Sequence, residues 1–217
     1  MKRLKRFLVV LSCFICLLSC EKQQEWLNAP RSPDEVTLET LKELQSVLDN
    51  SMVMNSNFPS IGQLGGDHYF FSENNYATAP PTEKNAYLWK RDIFENRASV
   101  DYADGYLKIA YANIVLEGLK EIDISVNQQT EYNNIKGQAL FSRSMIFFEL
   151  ASVFCKPYHS QTSNDDLGLP LKLSFDVNEI VQRSSLEATY EQIINDLLTA
   201  GPLLPVTPKH KTRASKL

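Results

Sequence analysis

Gly137 to Phe154, GQALFSRSMIFFELASVF, constrains this chain more than any other stretch. Eleven of its eighteen residues are apolar. At about 100° per residue, Gln138, Ser142, Glu149 and Ser152 fall within roughly 40° of one line. The rest of the circumference is Ala, Leu, Phe, Met, Ile and Val, uninterrupted by Pro. A helix apolar over most of its surface has to be covered by other helices on several sides. It is too short and too polar to span a bilayer, which takes ~20 mostly apolar residues. The spacing therefore predicts the central helix of an all-α domain, starting near Glu131 and ended by Pro157. Arg143 departs from this pattern, because it lies away from the polar line. A guanidinium placed there has to find a carboxylate or carbonyl partner, so a buried ion pair is expected.

The start of the chain reads as a targeting segment. Lys2, Arg3, Lys5 and Arg6 precede an apolar run from Phe7 to Leu18, broken only by Ser12. That length fits the apolar region of a signal peptide. Leu17-Leu18-Ser19-Cys20 then looks like a bacterial lipobox. Residues 1–19 are read as a lipoprotein signal peptide, with Cys20 acylated to hold the mature chain to a lipid membrane; a plain secretory signal with an incidental cysteine is the alternative reading. More than one acyl chain gives stable anchoring. Residues 20–31 follow as a polar tether, and residues 32–217 as the helical domain. Of the four cysteines, Cys13 and Cys16 leave with the signal and Cys20 carries lipid. Cys155 remains and has no disulfide partner. Cleavage also removes four basic residues. The charge moves from −4 to about −8, with 18 Lys+Arg left against 26 Asp+Glu. A body that acidic is a poor match for nucleic acid.

The first helix has two possible starts. One is the box Ser32, Pro33 and Glu35; the other is Thr37 or Thr40 with Glu43. Leu41, Leu44, Val47 and Leu48 form its apolar stripe. Residues 51 to 100 show no helical period. They are rich in aromatics, with turns at Gly62, Gly65 and Gly66 and a break at Pro80-Pro81. Long irregular segments inside a compact domain are uncommon unless functional or disordered, and aromatic density argues against disorder. A second helix is expected from about Tyr102 to Ile122. Tyr106, Ile109, Ala110, Asn113, Ile114, Leu116 and Leu119 supply its buried side, and Asn113 is read as an inter-helix hydrogen-bonder. A later helix begins at Ser184 or Ser185, with a box from Ser184 to Glu187. Its expected apolar face is Tyr190, Ile193, Ile194, Leu197 and Leu198, and Gly201-Pro202 is expected to stop it.

Four blocks taken together resemble a known family, the RagB/SusD outer-membrane nutrient-binding lipoproteins. They are YLKIAYANIVL at Tyr106 to Leu116, and GQALFSRSMIFFEL at Gly137 to Leu150 with Ser144 where Ala is usual. The third is GLPL followed by Arg183-Ser184 and YEQIINDLLTAGPLLP, and the fourth is Arg213-Ala214-Ser215-Lys216. The resemblance implies a scaffold of helix pairs like tetratricopeptide repeats, anchored by lipid to the outer membrane and facing outward. It implies a SusC-type TonB-dependent transporter as partner and an oligosaccharide or other nutrient as ligand, with no chemistry done and no cofactor. Family members run several hundred residues further, so the chain reads as an N-terminal portion, incomplete at its C-terminus. On that reading the residues after Pro208 fray, and part of the last helix's apolar face is exposed.

The residues themselves single out no catalytic constellation, and among the many carboxylates no pair stands out for glycoside cleavage. His68, His159 and His210 lie far apart without a second ligand at metal spacing. No G-x-S-x-G elbow occurs, and the glycines of GQLGGDH do not follow a buried strand as a phosphate cradle would. Sugar binding needs flat aromatic faces with hydrogen-bonding groups beside them. The candidate ligand residues are accordingly Asp67, Tyr69, Trp89 and Asn96. Packing in the core or a loop is the ordinary role for rings such as Tyr69 and Trp89, and stands beside the ligand reading. The competing functional class is an envelope-anchored helical adaptor that binds only protein.

Overall fold

The computed structural model describes residues 38–68, 70–176 and 178–216. The signal peptide, Cys20, the tether, the box at Ser32 and Tyr69 lie outside the described residues. Of the two starts for the first helix, Thr40 is the one seen. Helix α1 (Leu41–Leu48) is closed by a reciprocal box: the Thr40 hydroxyl accepts from the Glu43 amide at 3.3 Å, and the Glu43 carboxylate accepts from the Thr40 amide at 2.9 Å. Four short helices follow, α2 (Ser51–Met54), α3 (Ile61–Leu64), α4 (Glu73–Thr78) and α5 (Pro81–Tyr87). The segment without a sequence period is thus partly helical. None of these helices exceeds two turns, too short to carry a 3.6-residue period in sequence.

Three long helices make the frame: α6 (Val100–Glu121), α7 (Gln129–Phe154) and α8 (Leu186–Leu203). α7 lies centrally and packs on α1, α6 and α8. One core cluster joins α1, α6 and α7 through Leu41, Leu44, Val115, Leu119, Ile135 and Ala139. A second joins α6, α7 and α8 through Ile109, Phe147, Leu150 and Ile193. Gly105 lets α6 and α7 approach, since a Cβ there would sit 2.8 Å from Leu150. The four expected polar positions of α7 do not share one environment. Ser152 is exposed, but Gln138 is buried and exchanges amide hydrogen bonds with Gln45 of α1 at 3.1 and 3.2 Å. A partner 93 residues away turned a surface position into a buried one.

A two-stranded antiparallel hairpin, β1 (Leu167–Pro170) and β2 (Arg183–Ser185), adds a small sheet to the expected helices. Gly168 is required there: a Cβ would lie 2.3 Å from the Ser185 carbonyl oxygen and 2.1 Å from the Thr189 hydroxyl. α8 is capped by Ser185, whose hydroxyl accepts from the Ala188 amide at 3.1 Å. Glu187 does not close the expected box with Ser184. Its carboxylate accepts from Tyr158 and Ser163 instead, which holds it below the usual glutamate range. Gly201-Pro202 does not stop α8, which runs to Leu203 with Pro202 in its last turn. The buried side of α8 is Leu186, Thr189, Ile193, Asp196 and Ala200; Ile194 and Leu198 are 52% and 71% exposed, as the sequence led us to expect for part of that face.

The residues after Pro208 are not frayed. Arg213 clasps Asp49 with Nε–Oδ1 at 2.9 Å and Nη2–Oδ2 at 2.6 Å, and Ala214 packs on the cluster of Leu140, Ala200 and Leu204. The expected ion pair of Arg143 is present. Its Nε and Nη2 donate to Asp196 of α8 at 2.7 and 2.8 Å, and its Nη1 donates to Asn113 of α6 at 2.9 Å. Asn113 in turn donates to the carbonyls of Lys172 and Ser174 at 3.0 Å each. One buried network therefore ties all three long helices to the loop after β1.

Candidate functional site: an exposed indole over an inter-helix groove

The segment between α1 and α6 is held from below by α6. Asp101 accepts from the amides of Ser60 and Ile61 at 2.7 and 3.1 Å, placing its carboxylate at the start of α3. Lys108 is buried, donates to the Asn57 carbonyl at 2.9 Å, and lies 5.1 Å from the centre of the Phe58 ring. Burial pushes its ammonium below the usual lysine range, against the opposing pull of Asp104, Glu149 and Asp101. Burial likewise raises the Glu149 carboxyl, and Lys108 lowers it. These supports were missed in sequence, since a lysine within YLKIAYANIVL reads as an exposed position.

α5 ends in an unusual way. The Trp89 amide donates to Ala86 at 3.0 Å and the Lys90 amide to Asn85 at 2.9 Å. That pair of bonds is a Schellman ending, whose residue past the cap takes a left-handed conformation and is usually Gly. Here it is Trp89, at φ 52°. Left-handed backbone costs an L-residue ~1–2 kcal/mol, and a bulky one there is an outlier worth explaining. Packing does not explain it, because Trp89 is 79% exposed. Its indole borders a groove of about 240 Å³ with a floor of Ile61, Gly62, Ala86 and Val153, and with Lys90 and Ser152 as polar groups. Gly65 leaves room beside the ring: a Cβ there would be 3.8 Å from the indole.

The following loop is fixed by Asn85, buried on α5. Its amide donates to the Ile93 carbonyl at 3.1 Å and to the Glu95 carboxylate at 2.9 Å. Glu95 and Asn96 are also left-handed, at φ 49° and 61°. Of the expected ligand residues, Trp89 borders the groove. Asp67 and Asn96 are exposed in flanking loops and do not line it, and Tyr69 lies outside the described residues. The structure therefore does not bring the set together. Ile61, Gly65 and Ser152 line the groove without having been singled out for it. Among the described residues no group of three His, Cys, Asp or Glu side chains could hold a metal ion, and no helix is long and apolar enough to cross a membrane.

Residues 28–217 match a SusD-like family described as starch-binding and associating with the outer membrane. The chain belongs to the SusD-like family. A search of the curated proteins finds no match. Solved structures of similar fold include a SusD superfamily protein from Bacteroides vulgatus, at 18% identity and TM-score 0.65, covering 79% of this chain and 39% of that one. Another, from Bacteroides fragilis, has 19% identity and TM-score 0.64, covering 81% and 43%. A laminarin-binding SusD-like protein has 17% identity and TM-score 0.60, covering 82% and 37%. The chain thus spans about two fifths of the length of these SusD-like relatives. At such identities the likeness concerns the fold, and it agrees with the helical, repeat-like scaffold expected from the sequence. The family's description names binding and no reaction, in keeping with the expectation that the chain is not an enzyme.

Proposed function

We propose that this SusD-like chain is a lipid-anchored binding protein of the outer membrane that captures a glycan on the Trp89 groove and passes it to a SusC-type TonB-dependent transporter. The observation that carries the ligand site is Trp89, a solvent-facing indole held in backbone geometry that favours glycine. Strained backbone concentrates at functional sites, where its cost is met by the surrounding structure. An exposed indole gives a sugar ring an apolar face, and the Ser152 hydroxyl and Lys90 ammonium beside it can bond ring hydroxyls. The laminarin-binding relative and the family's starch-binding description support a glucan as the first ligand to try. Acylated Cys20 is the anchor in this reading, and Asp67, Tyr69 and Asn96 are flanking contacts.

Affinity electrophoresis in gels containing laminarin or starch tests the site. The full chain should be retarded by one of them, and Trp89→Ala should weaken retardation about tenfold or more, the range seen for a central aromatic contact. Retardation unchanged by Trp89→Ala removes the groove from the proposal. Replacing Cys20 with Ala should release the protein from washed membranes.

The adaptor reading keeps one observation in its favour, the exposed Ile194, Leu197 and Leu198 on α8. An apolar patch of that kind marks interaction surfaces. Failure to bind any polysaccharide, with stable capture of an envelope protein that Leu198→Glu abolishes, would favour it.

A further inference from the structure

A second cleft, which shares no lining residue with the Trp89 groove, lies where the C-terminal half of α6 meets the N-terminal half of α7. It encloses about 300 Å³, the low end of small-molecule sites. Lys120 reaches it from α6, and Lys136 and Tyr132 reach it from α7. Neither ammonium nor the phenol has a hydrogen bond or ion pair among the described residues. Glu117 is the carboxylate in the lining, and it already accepts from the Phe175 amide at 3.2 Å. Arg143, also in the lining, is neutralised by Asp196. Two ammoniums without an ion pair therefore share the cleft with one carboxylate, Glu117, and the cleft stays net positive in a chain whose net charge is negative. Leu116, Leu140 and Leu173 make the remaining walls apolar.

We infer that this cleft binds a sugar carboxylate, a uronate the size of one monosaccharide. Its carboxylate would take charge-assisted hydrogen bonds from Lys120 and Lys136, while the Tyr132 ring and leucine walls would cover the apolar face of the sugar and the phenol would bond a ring hydroxyl. A neutral hexose of the same shape would leave both ammoniums unpaired and gain little. The site goes beyond the glucan groove and depends on none of its residues.

The test is titration of the full chain, in detergent, with glucuronate and with glucose, read by calorimetry. Glucuronate should bind saturably and glucose should not. Lys120→Gln with Lys136→Gln should weaken glucuronate about tenfold or more, the value of hydrogen bonds to charged groups. Lys136→Arg, which keeps the charge, should retain most of the affinity, and Trp89→Ala should leave it unchanged. Loss of laminarin or starch binding would bear on the groove alone. Equal binding of glucose, no saturable glucuronate binding, or glucuronate binding indifferent to both lysine changes in a variant with the parent's circular dichroism would overturn the inference.

Discussion

The layer of α6, α7 and α8 and the segment from residue 51 to 98 are built on opposite terms. The long helices bury large faces against one another and fix their mutual positions with a buried polar network around Arg143. The short-helix segment buries little of itself. Among its residues Met54, Asn85 and Ala86 are buried, while Phe70 and Trp89 are mostly exposed. It is held by α6, through Asp101 at the start of α3 and Lys108 on the Asn57 carbonyl, and by α7, whose Phe154 stacks on Phe94. The difference teaches where a chain like this can carry function. The frame's buried contacts cannot change without losing the fold, so it can offer a ligand only outward side chains such as Lys120 and Lys136, whereas the segment resting on it presents rings and left-handed backbone to solvent.

The largest expected effect belongs to the frame. Arg143→Met leaves Asp196 as an uncompensated buried charge, and breaking such a pair from one side costs ~3–5 kcal/mol. Urea unfolding should show that loss. An unchanged midpoint would mean the network does not hold the helices together, and the contrast between the two regions would fail. Gly168→Ala comes next, because the new Cβ meets a backbone oxygen that cannot turn away. Overpacking of this kind typically costs ~1–3 kcal/mol, and it should also disturb the bond from the Leu169 amide to the Thr189 hydroxyl at 3.0 Å.

Legibility in the sequence followed the same division. The three long helices and the burial of Arg143 could be read, because long runs without a breaker and a lone guanidinium among apolar residues are visible in sequence. Their buried faces were read only in part: Ile109, Asn113 and Leu119 of the side expected for α6 are buried, and of the face expected for α8 Ile193 is. The four short helices could not, since a run of four to seven residues offers no period to detect. The burial of Gln138 was hidden for another reason, because its partner Gln45 lies on a different helix. At the candidate site, the aromatic density of residues 51 to 98 and Trp89 itself were legible. The conformation of Trp89 was not: it follows from where α5 ends and from Asn85 anchoring the loop, and both are tertiary facts.

A smaller effect, dependent on pH, probes the joint between the regions. The Glu149 carboxyl is raised above its ordinary 4.5 by burial, and its Oε2 is buried without a hydrogen bond among the described residues. A raised carboxyl binds its proton more tightly folded than unfolded. Its stabilising contribution is complete below pH 4.5 and is lost as pH rises through the folded value. Glu149→Gln removes that loss. The variant's stability relative to the parent should therefore rise between pH 4.5 and pH 7, measured by urea unfolding at both. A difference independent of pH would show that the carboxyl is not perturbed.

The smallest effect is opposite in sign to those of Arg143→Met and Gly168→Ala, and it separates function from stability in the segment itself. Trp89 has left-handed backbone at the position of a Schellman ending where Gly is at home. Replacing it with Gly relieves a conformational cost of ~1–2 kcal/mol. Greater freedom of the unfolded chain takes back ~0.4–1 kcal/mol of that, and the indole, being mostly exposed, gives up little packing. Trp89→Gly should therefore leave stability unchanged or raise it by up to ~1 kcal/mol. The same change should abolish retardation by the glucan that the parent binds, because the stacking face is gone. No purely structural role for Trp89 predicts that pairing, since a packing residue lost to Gly lowers stability. A destabilised variant would mean that the ring is a structural prop, and a stable variant that still binds glucan would move the site away from the groove.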